Sequence, residues 1–126
     1  MLAMIVLFKN EEWSTVGILD IPKDPPPNNS VIIMLHAGSS QKTGSRNTFV
    51  KLSRLACENG FSAFRFDLPG DGESQVFKSS LDPIKALYDL IDHITFKYNF
   101  EHVFLVGHCF GAFRSLELAS KYPKKF

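Results

Sequence analysis

The sequence lacks most of the features that mark specialised classes of protein. Among its 126 residues are only two cysteines, Cys57 and Cys109, and they form no C-x-x-C pair. A disulfide framework and a cysteine metal site are therefore not indicated, and a reducing compartment is the default. Neither sign of charge dominates, since the formal net charge is +1. Composition thus gives no support to nucleic acid or an anionic membrane as the main partner.

Long hydrophobic runs are also missing. Residues 1–8 are apolar, but a membrane-spanning helix needs about 20 apolar residues, and a signal peptide needs a basic region before its apolar stretch. We therefore expect a cytoplasmic protein with no membrane span, and the sequence predicts no metal site and no cofactor. The basic cluster of Lys121, Lys124 and Lys125 is typical of a solvated helix terminus.

What the sequence does contain is an alternation of strands and helices. Its 44% hydrophobic content suits one small globular domain over residues 1–126. Strands at 4–8 and 13–21 predict a hairpin, and a proline-rich loop follows at 22–29. Three strand–helix units come next, with strands at 31–35, 61–67 and 103–106 and helices at 47–59, 83–98 and 110–122. This order predicts an α/β fold, a mostly parallel sheet with helices on both faces.

Two of the predicted helices carry further local signals. Asp82 before Pro83 is a typical N-cap at the start of the second helix. The first helix has an apolar stripe that we expect to face the core, made of Phe49, Leu52, Leu55 and Ala56. Cys57 lies on this stripe, so it is predicted to be a core residue.

The pentapeptide GHCFG at residues 107–111 lies between the last apolar strand and the last helix. A turn of the form G-x-nucleophile-x-G in this place is typical of a nucleophile elbow, in which a strained backbone projects the central side chain above the sheet. Gly107 and Gly111 let the strand and the helix approach closely. The helix N-terminus is directed at Cys109 and favours negative charge there. Cys109 is therefore the candidate nucleophile.

Together with two further segments, this turn resembles the α/β-hydrolase family. HAG at 36–38 resembles the family's His-Gly oxyanion loop, with Ala37 in place of the usual glycine, and DLPGDGES at 67–74 resembles its D-x-x-G-x-G-x-S segment. The motifs stand in the family's order, and the resemblance covers nearly the whole chain but only the N-terminal half of that fold. It implies an oxyanion hole formed by the backbone N–H groups of Gly38 and Phe110, and a structural role for residues 67–74.

Serine is the usual nucleophile of this family. A cysteine at this position resembles the dienelactone hydrolases and the polyhydroxyalkanoate synthases, which transfer acyl groups through a thioester. The resemblance thus implies a hydrolase or acyltransferase that attacks a small-molecule ester or thioester with Cys109.

The sequence lacks the other members of a hydrolase triad, in which an acid and then a histidine follow the nucleophile. No histidine or aspartate comes after Cys109, and the one acid there, Glu117, is expected to point away from the elbow. The four histidines all come earlier: His36, His93, His102 and His108. We expect none of them to act as the general base, and the ring of His108 to point away from the thiol.

The apolar strand at 102–106 would lie in the middle of the sheet in the resembled topology. If the chain stops at Phe126, truncated after the helix that follows the elbow, this strand becomes an exposed edge, which is a template for pairing with another chain. We therefore expect either a longer chain or a homodimer or complementing partner along this edge. The alternative function is a catalytically inactive fragment that serves as an interaction or dimerising module.

Simpler interpretations remain open for two features. Cys109 could be a buried structural thiol, as many cysteines are. Residues 38–43, GSSQKT, faintly resemble a phosphate-binding loop, but Gln41 occupies the position where that loop needs a glycine before the lysine.

Overall fold

The computed structural model describes residues 1–24 and 29–126. Its strands are β1 (Leu2–Lys9), β2 (Trp13–Ile21), β3 (Ser30–Leu35), β4 (Ser62–Phe66), β5 (Gln75–Val76) and β6 (His102–Gly107). Its helices are α1 (Thr48–Glu58), α2 (Pro83–Lys97) and α3 (Phe110–Lys121), with a 3₁₀ turn at Ser45–Asn47 before α1. The sequence predicted each of these strands and helices within two residues except the two-residue β5. Of the predicted loop at 22–29, residues 25–28 lie outside the described residues.

The strands form one sheet in the order β1-β2-β4-β3-β6, with β5 joined to β2. β3 pairs in parallel with β4 and with β6, as the alternation of strands and helices predicts. The predicted N-terminal hairpin is present, and its strand β2 pairs antiparallel with β4, so the sheet is mixed.

Helices cover both faces of this sheet. Phe49 and Ala56 of α1 pack with Met34 and Ala63 on one face. Neighbouring strand residues point to the opposite face, where a larger core joins the sheet to α2 and α3; its buried members include Trp13, Ile33, Phe64, Leu90 and Leu118. The predicted α/β class with helices on both faces is confirmed.

The start of α2 follows its sequence signal. The carboxylate of Asp82 accepts hydrogen bonds from the backbone N–H groups of Ile84 at 3.0 Å and Lys85 at 3.4 Å. These N–H groups belong to the first turn of the helix and have no acceptor within it. Asp82 therefore caps α2 at the position where the helix begins.

The apolar stripe of α1 is only partly buried. Phe49 and Ala56 are in the core, and so is Cys57, but Leu52 is 36% exposed and Leu55 is 54% exposed. Both leucines border an apolar groove of about 200 Å³ that also exposes Val106 of β6. The expectation that both leucines face the core was wrong, because β6 is the last strand of the sheet and no described residue covers the space beside it.

Substitution of Gly111 tests how closely the backbone of α3 packs against the end of β3. A Cβ added there would overlap the carbonyl oxygen of Leu35, and a backbone atom cannot turn aside. We expect Gly111→Ala to lower the free energy of unfolding by about 1–3 kcal/mol, the range for overpacked sites. Gly38→Ala is the matched control, because its Cβ would lie at an ordinary 3.5 Å from the Cβ of Phe110. Equal thermal unfolding midpoints for the two variants would contradict the close packing.

Candidate functional site

Cys109 stands at the apex of the turn between β6 and α3. Its backbone has φ 52° and ψ −115°, a conformation that non-glycine residues rarely adopt. Its side chain is exposed. α3 begins at the next residue, so Cys109 is the N-cap residue of a helix whose N-terminus favours negative charge. The exposure shows that the interpretation of Cys109 as a buried structural thiol was wrong.

The turn depends on the two glycines that flank it. A Cβ at Gly107 would overlap the backbone N of Ala112, and a Cβ at Gly111 would overlap the carbonyl oxygen of Leu35. Any larger residue at either position would push α3 away from β6 or β3. The strained conformation of Cys109 is thus held between two contacts that only glycine permits.

The loop that follows β3 brings Gly38 beside Phe110. A Cβ at Gly38 would lie 3.5 Å from the Cβ of Phe110, so the two candidate oxyanion residues are neighbours. Phe110 is the first residue of α3, and its N–H has no acceptor within the helix. Neither this N–H nor that of Gly38 has an acceptor in the part of the chain that the structure describes. Both N–H groups are therefore unpaired within residues 1–24 and 29–126.

The buried ring of His36 ties this loop to the end of β4. Its Nε2 accepts a hydrogen bond from the N–H of Leu68 at 3.0 Å, and its Nδ1 lies 2.6 Å from the carbonyl oxygen of Ala37. Nδ1 therefore carries the ring proton, and its N–H donates a hydrogen bond to that oxygen. Because both ring nitrogens are engaged, His36 has a structural role and does not serve as a base.

The segment at 67–74 is held by the buried carboxylate of Asp67. This group accepts hydrogen bonds from the backbone N–H of Lys42 at 2.7 Å, from the ammonium of Lys42 at 3.0 Å and from the N–H of Glu73 at 2.8 Å. The carbonyl oxygen of Asp67 also accepts from the hydroxyl of Thr15 at 2.6 Å. These bonds match the structural role predicted for the segment.

The same contacts of Lys42 argue against the interpretation of residues 38–43 as a phosphate-binding loop. Burial alone would lower the pKa of Lys42, but hydrogen bonds to Glu73 and Asp67 outweigh it and raise that pKa. The ammonium lies 2.7 Å from Glu73 and 3.0 Å from Asp67. Two carboxylates already neutralise this cation, so a phosphate would meet net negative charge there.

The structure corrects the expectation for His108. Its Nε2 lies 3.9 Å from the Sγ of Cys109, so the ring turns toward the thiol and not away from it. His93 packs instead against the ring of Phe8, and His102 lies at the exposed start of β6. No sequence pattern predicts the rotamer of an exposed side chain next to a strained residue, which is why this contact was missed.

Arg114 is a second neighbour of the site that the sequence analysis overlooked. Its guanidinium lies 4.5 Å from the centre of the Phe110 ring and pairs with Glu117 at 2.6 Å. The spacings i, i+4 and i, i+3 on a helix are the signals that could have found both contacts. Glu117 is thereby engaged with Arg114, in agreement with its expected absence from the elbow.

Two features are absent from residues 1–24 and 29–126, a metal-binding cluster and a membrane-spanning helix. No three His, Cys, Asp or Glu side chains in these ranges come close enough to hold a metal ion. None of the helices there is long and apolar enough to cross a membrane.

Comparisons with known proteins agree with the fold described above. The family model described as the alpha/beta hydrolase fold matches residues 30–126. The abhydrolase domain-containing protein abhd-5.2 of Caenorhabditis elegans is 36% identical over 121 residues, which cover 94% of this chain and 26% of that protein. The chain therefore spans about a quarter of this curated relative.

Solved structures share the fold at low sequence identity. Est1E of Butyrivibrio proteoclasticus, with ferulic acid bound, superposes with a TM-score of 0.81 at 17% identity, over 96% of this chain and 49% of that one. A highly thermostable carboxyl esterase of Bacillus coagulans superposes with a TM-score of 0.79 at 14% identity, and the match covers 100% of this chain and 42% of the esterase chain. At these identities the likeness shows the fold alone.

The two thiols should differ sharply in their reaction with iodoacetamide. Burial, with a smaller contribution from the charge of Asp20, raises the pKa of Cys57 from 9.0 to about 11. The folded protein near pH 8 should therefore be alkylated at the exposed Cys109 and not at Cys57, because the buried thiol stays protonated until the pH approaches its raised pKa. Peptide mass spectrometry measures both sites, and unfolding in urea should release Cys57. Equal labelling in the folded protein would contradict the described burial.

Proposed function

This chain belongs to the alpha/beta hydrolase fold family, and from that membership we propose that it carries the nucleophile of a hydrolase or acyltransferase acting on small-molecule esters or thioesters. The observation that carries the proposal is the placement of Cys109, exposed at φ 52° on the turn between β6 and α3. The neighbouring Gly38 and Phe110 supply two unengaged backbone N–H groups beside that turn.

In the proposed reaction the thiolate of Cys109 attacks the acyl carbon. A carbon–sulfur bond forms while the carbonyl electrons move onto oxygen, and the N–H groups of Gly38 and Phe110 stabilise that oxyanion. Each such donor contributes roughly 3 kcal/mol to transition-state stabilisation. Collapse of the intermediate expels the alcohol or thiol, which takes up a proton, and leaves a thioester on Cys109. Water or another acceptor then releases the acyl group.

The ester class has support from the similar structures, since one of them is named as a carboxyl esterase. The cysteine nucleophile sets the proposal apart from the usual serine enzymes. A thiol is intrinsically more nucleophilic than a hydroxyl near neutral pH. The chain covers only 26% of the length of abhd-5.2. Complete hydrolysis, including release of the acyl group, is therefore proposed for the enzyme and not inferred from this relative.

The open edge of the sheet favours a second candidate function, an interaction or dimerising module. β6 pairs with β3 on one side, and Phe104 of β6 is 51% exposed. A groove of about 450 Å³ borders Leu105 and Leu116 on the α3 face of the sheet. The groove at Leu52 and Leu55 lies on the α1 face, to which the side chain of Phe104 also points. A strand added along β6 would place alternate side chains into these two grooves, and a second copy of this chain offers such a strand.

Acylation of Cys109 is the direct test of the first candidate. Incubation with p-nitrophenyl acetate should add one acetyl group to the protein, and peptide mass spectrometry should locate it on Cys109. Cys109→Ala should abolish this adduct, because no other exposed thiol is present among the described residues. Cys57→Ser is the matched control and should acetylate at the wild-type rate. Retained acetylation in Cys109→Ala would exclude Cys109 as the nucleophile.

Association through β6 is tested by substitutions on the two outer strands. Phe104→Lys should shift the protein toward the monomer in analytical ultracentrifugation, because a lysine on an edge strand opposes pairing. Leu7→Lys is the matched control, since Leu7 is 75% exposed on β1 at the opposite edge of the sheet. A wild-type protein that stays monomeric at all concentrations, or equal dissociation in both variants, would exclude β6 as the interface.

A further inference from the structure

His108 and Cys109 are adjacent in sequence, yet their side chains meet. Successive side chains of an extended strand point to opposite faces. The chain leaves this geometry after β6 ends at Gly107, and the positive φ of Cys109 turns the thiol so that its Sγ lies 3.9 Å from the Nε2 of His108. Both side chains are exposed, so a reagent or substrate can reach the pair.

Three of the surrounding charged or titratable side chains have other partners. His36 is hydrogen-bonded to the backbone of Leu68 and Ala37. Lys42 forms ion pairs with Asp67 and Glu73, and Arg114 forms one with Glu117. Asp71 borders a cavity of about 50 Å³ between Phe110 and Arg114. Within residues 1–24 and 29–126, the ring of His108 is the one side chain in hydrogen-bond contact with the thiol of Cys109.

We propose that His108 accepts the proton of the Cys109 thiol and so activates its own sequence neighbour as a nucleophile. The proton passes from Sγ to Nε2, which leaves a thiolate beside an imidazolium. The thiolate forms the carbon–sulfur bond, and the imidazolium returns the proton to the leaving oxygen or sulfur, so no further reactant is required. The inference rests on the proposed function for its substrate, but the activation of the thiol stands independently of it.

The contact geometry limits the size of the effect. A distance of 3.9 Å is long for a hydrogen bond to sulfur, and such contacts often tighten only when a substrate is bound. A triad also contains a carboxylate that orients the histidine, and no carboxylate in the described part of the chain bonds to the ring of His108. We therefore expect about a tenfold acceleration, below the usual 10²–10⁴-fold of an oriented base.

The test is the rate of Cys109 alkylation by iodoacetamide as a function of pH, read by peptide mass spectrometry. His108→Ala and His108→Asn should both react about tenfold more slowly than the wild type near pH 7. The difference should vanish above the ordinary thiol pKa of about 8.5, where ionisation needs no partner. His102→Asn is the matched control at the opposite end of β6 and should match the wild type throughout. Circular dichroism confirms that each variant is folded.

Two results would overturn the inference. One is a wild-type rate near pH 7 in both His108 variants. The other is an equal loss of rate at every pH, which would mark a change of structure and not of proton transfer. Iodoacetamide needs neither an oxyanion hole nor an acyl substrate, so the outcome is separate from the proposed function. If the His108 variants lose alkylation rate only at low pH and the wild type is not acetylated, activation of Cys109 by His108 is supported and the proposed acyl chemistry is rejected.

Discussion

The close approach of α3 to the end of β3 is the constraint on which the site depends. At Gly111 the helix lies so near the carbonyl oxygen of Leu35 that only a hydrogen atom fits between them. This contact fixes where α3 begins and forces the reversal of the chain at Cys109. Such backbone strain costs about 1–3 kcal/mol and persists only where its surroundings hold it. Here the parallel pairing of β6 with β3 along their whole length holds it.

The parallel direction of three strands explains why separate parts of the sequence meet at one end of the sheet. β3, β4 and β6 run parallel, so the loops that follow them gather at their carboxyl ends. His36 joins the first of these loops to the second, and Asp67 joins the second back to Lys42 in the first. Gly38 is thereby held beside Phe110 by hydrogen bonds that do not involve the thiol. Hydrogen bonds thus hold the loop after β3 beside the elbow, and the proposed oxyanion stabilisation requires such prior positioning of its donors.

Local spacing predicted much of this arrangement. The elbow, the loop at 36–38 and the cap at Asp82 are short-range patterns, and each element they mark is present within two residues. The failures have physical causes outside such patterns. Leu52 and Leu55 have helical core spacing, but their burial depends on what lies beyond β6, which periodicity does not encode. β5 consists of two residues that pair with β2, too few for a period to appear.

The contact between His108 and Cys109 shows the same limit at the level of a single side chain. The sequence places His108 at the end of a strand, where the alternation of side chains predicts that its ring points away. The positive φ at the next residue reverses that expectation. A motif can therefore mark a candidate nucleophile, while the backbone conformation decides which groups face it. Arg114 differs in this respect, since the i, i+4 spacing on α3 already allows its guanidinium to lie over the ring of Phe110.

In the proposed chemistry, Cys109 attacks a carbonyl carbon beside the backbone N–H groups of Gly38 and Phe110. A crystal structure of the protein after reaction with a simple aliphatic aldehyde would show this arrangement, because a thiol adds to an aldehyde to give a tetrahedral hemithioacetal. We expect an adduct on Cys109 whose oxygen lies about 2.7–3.1 Å from the backbone nitrogens of Gly38 and Phe110. An adduct whose oxygen faces solvent, or no adduct on Cys109, would contradict it.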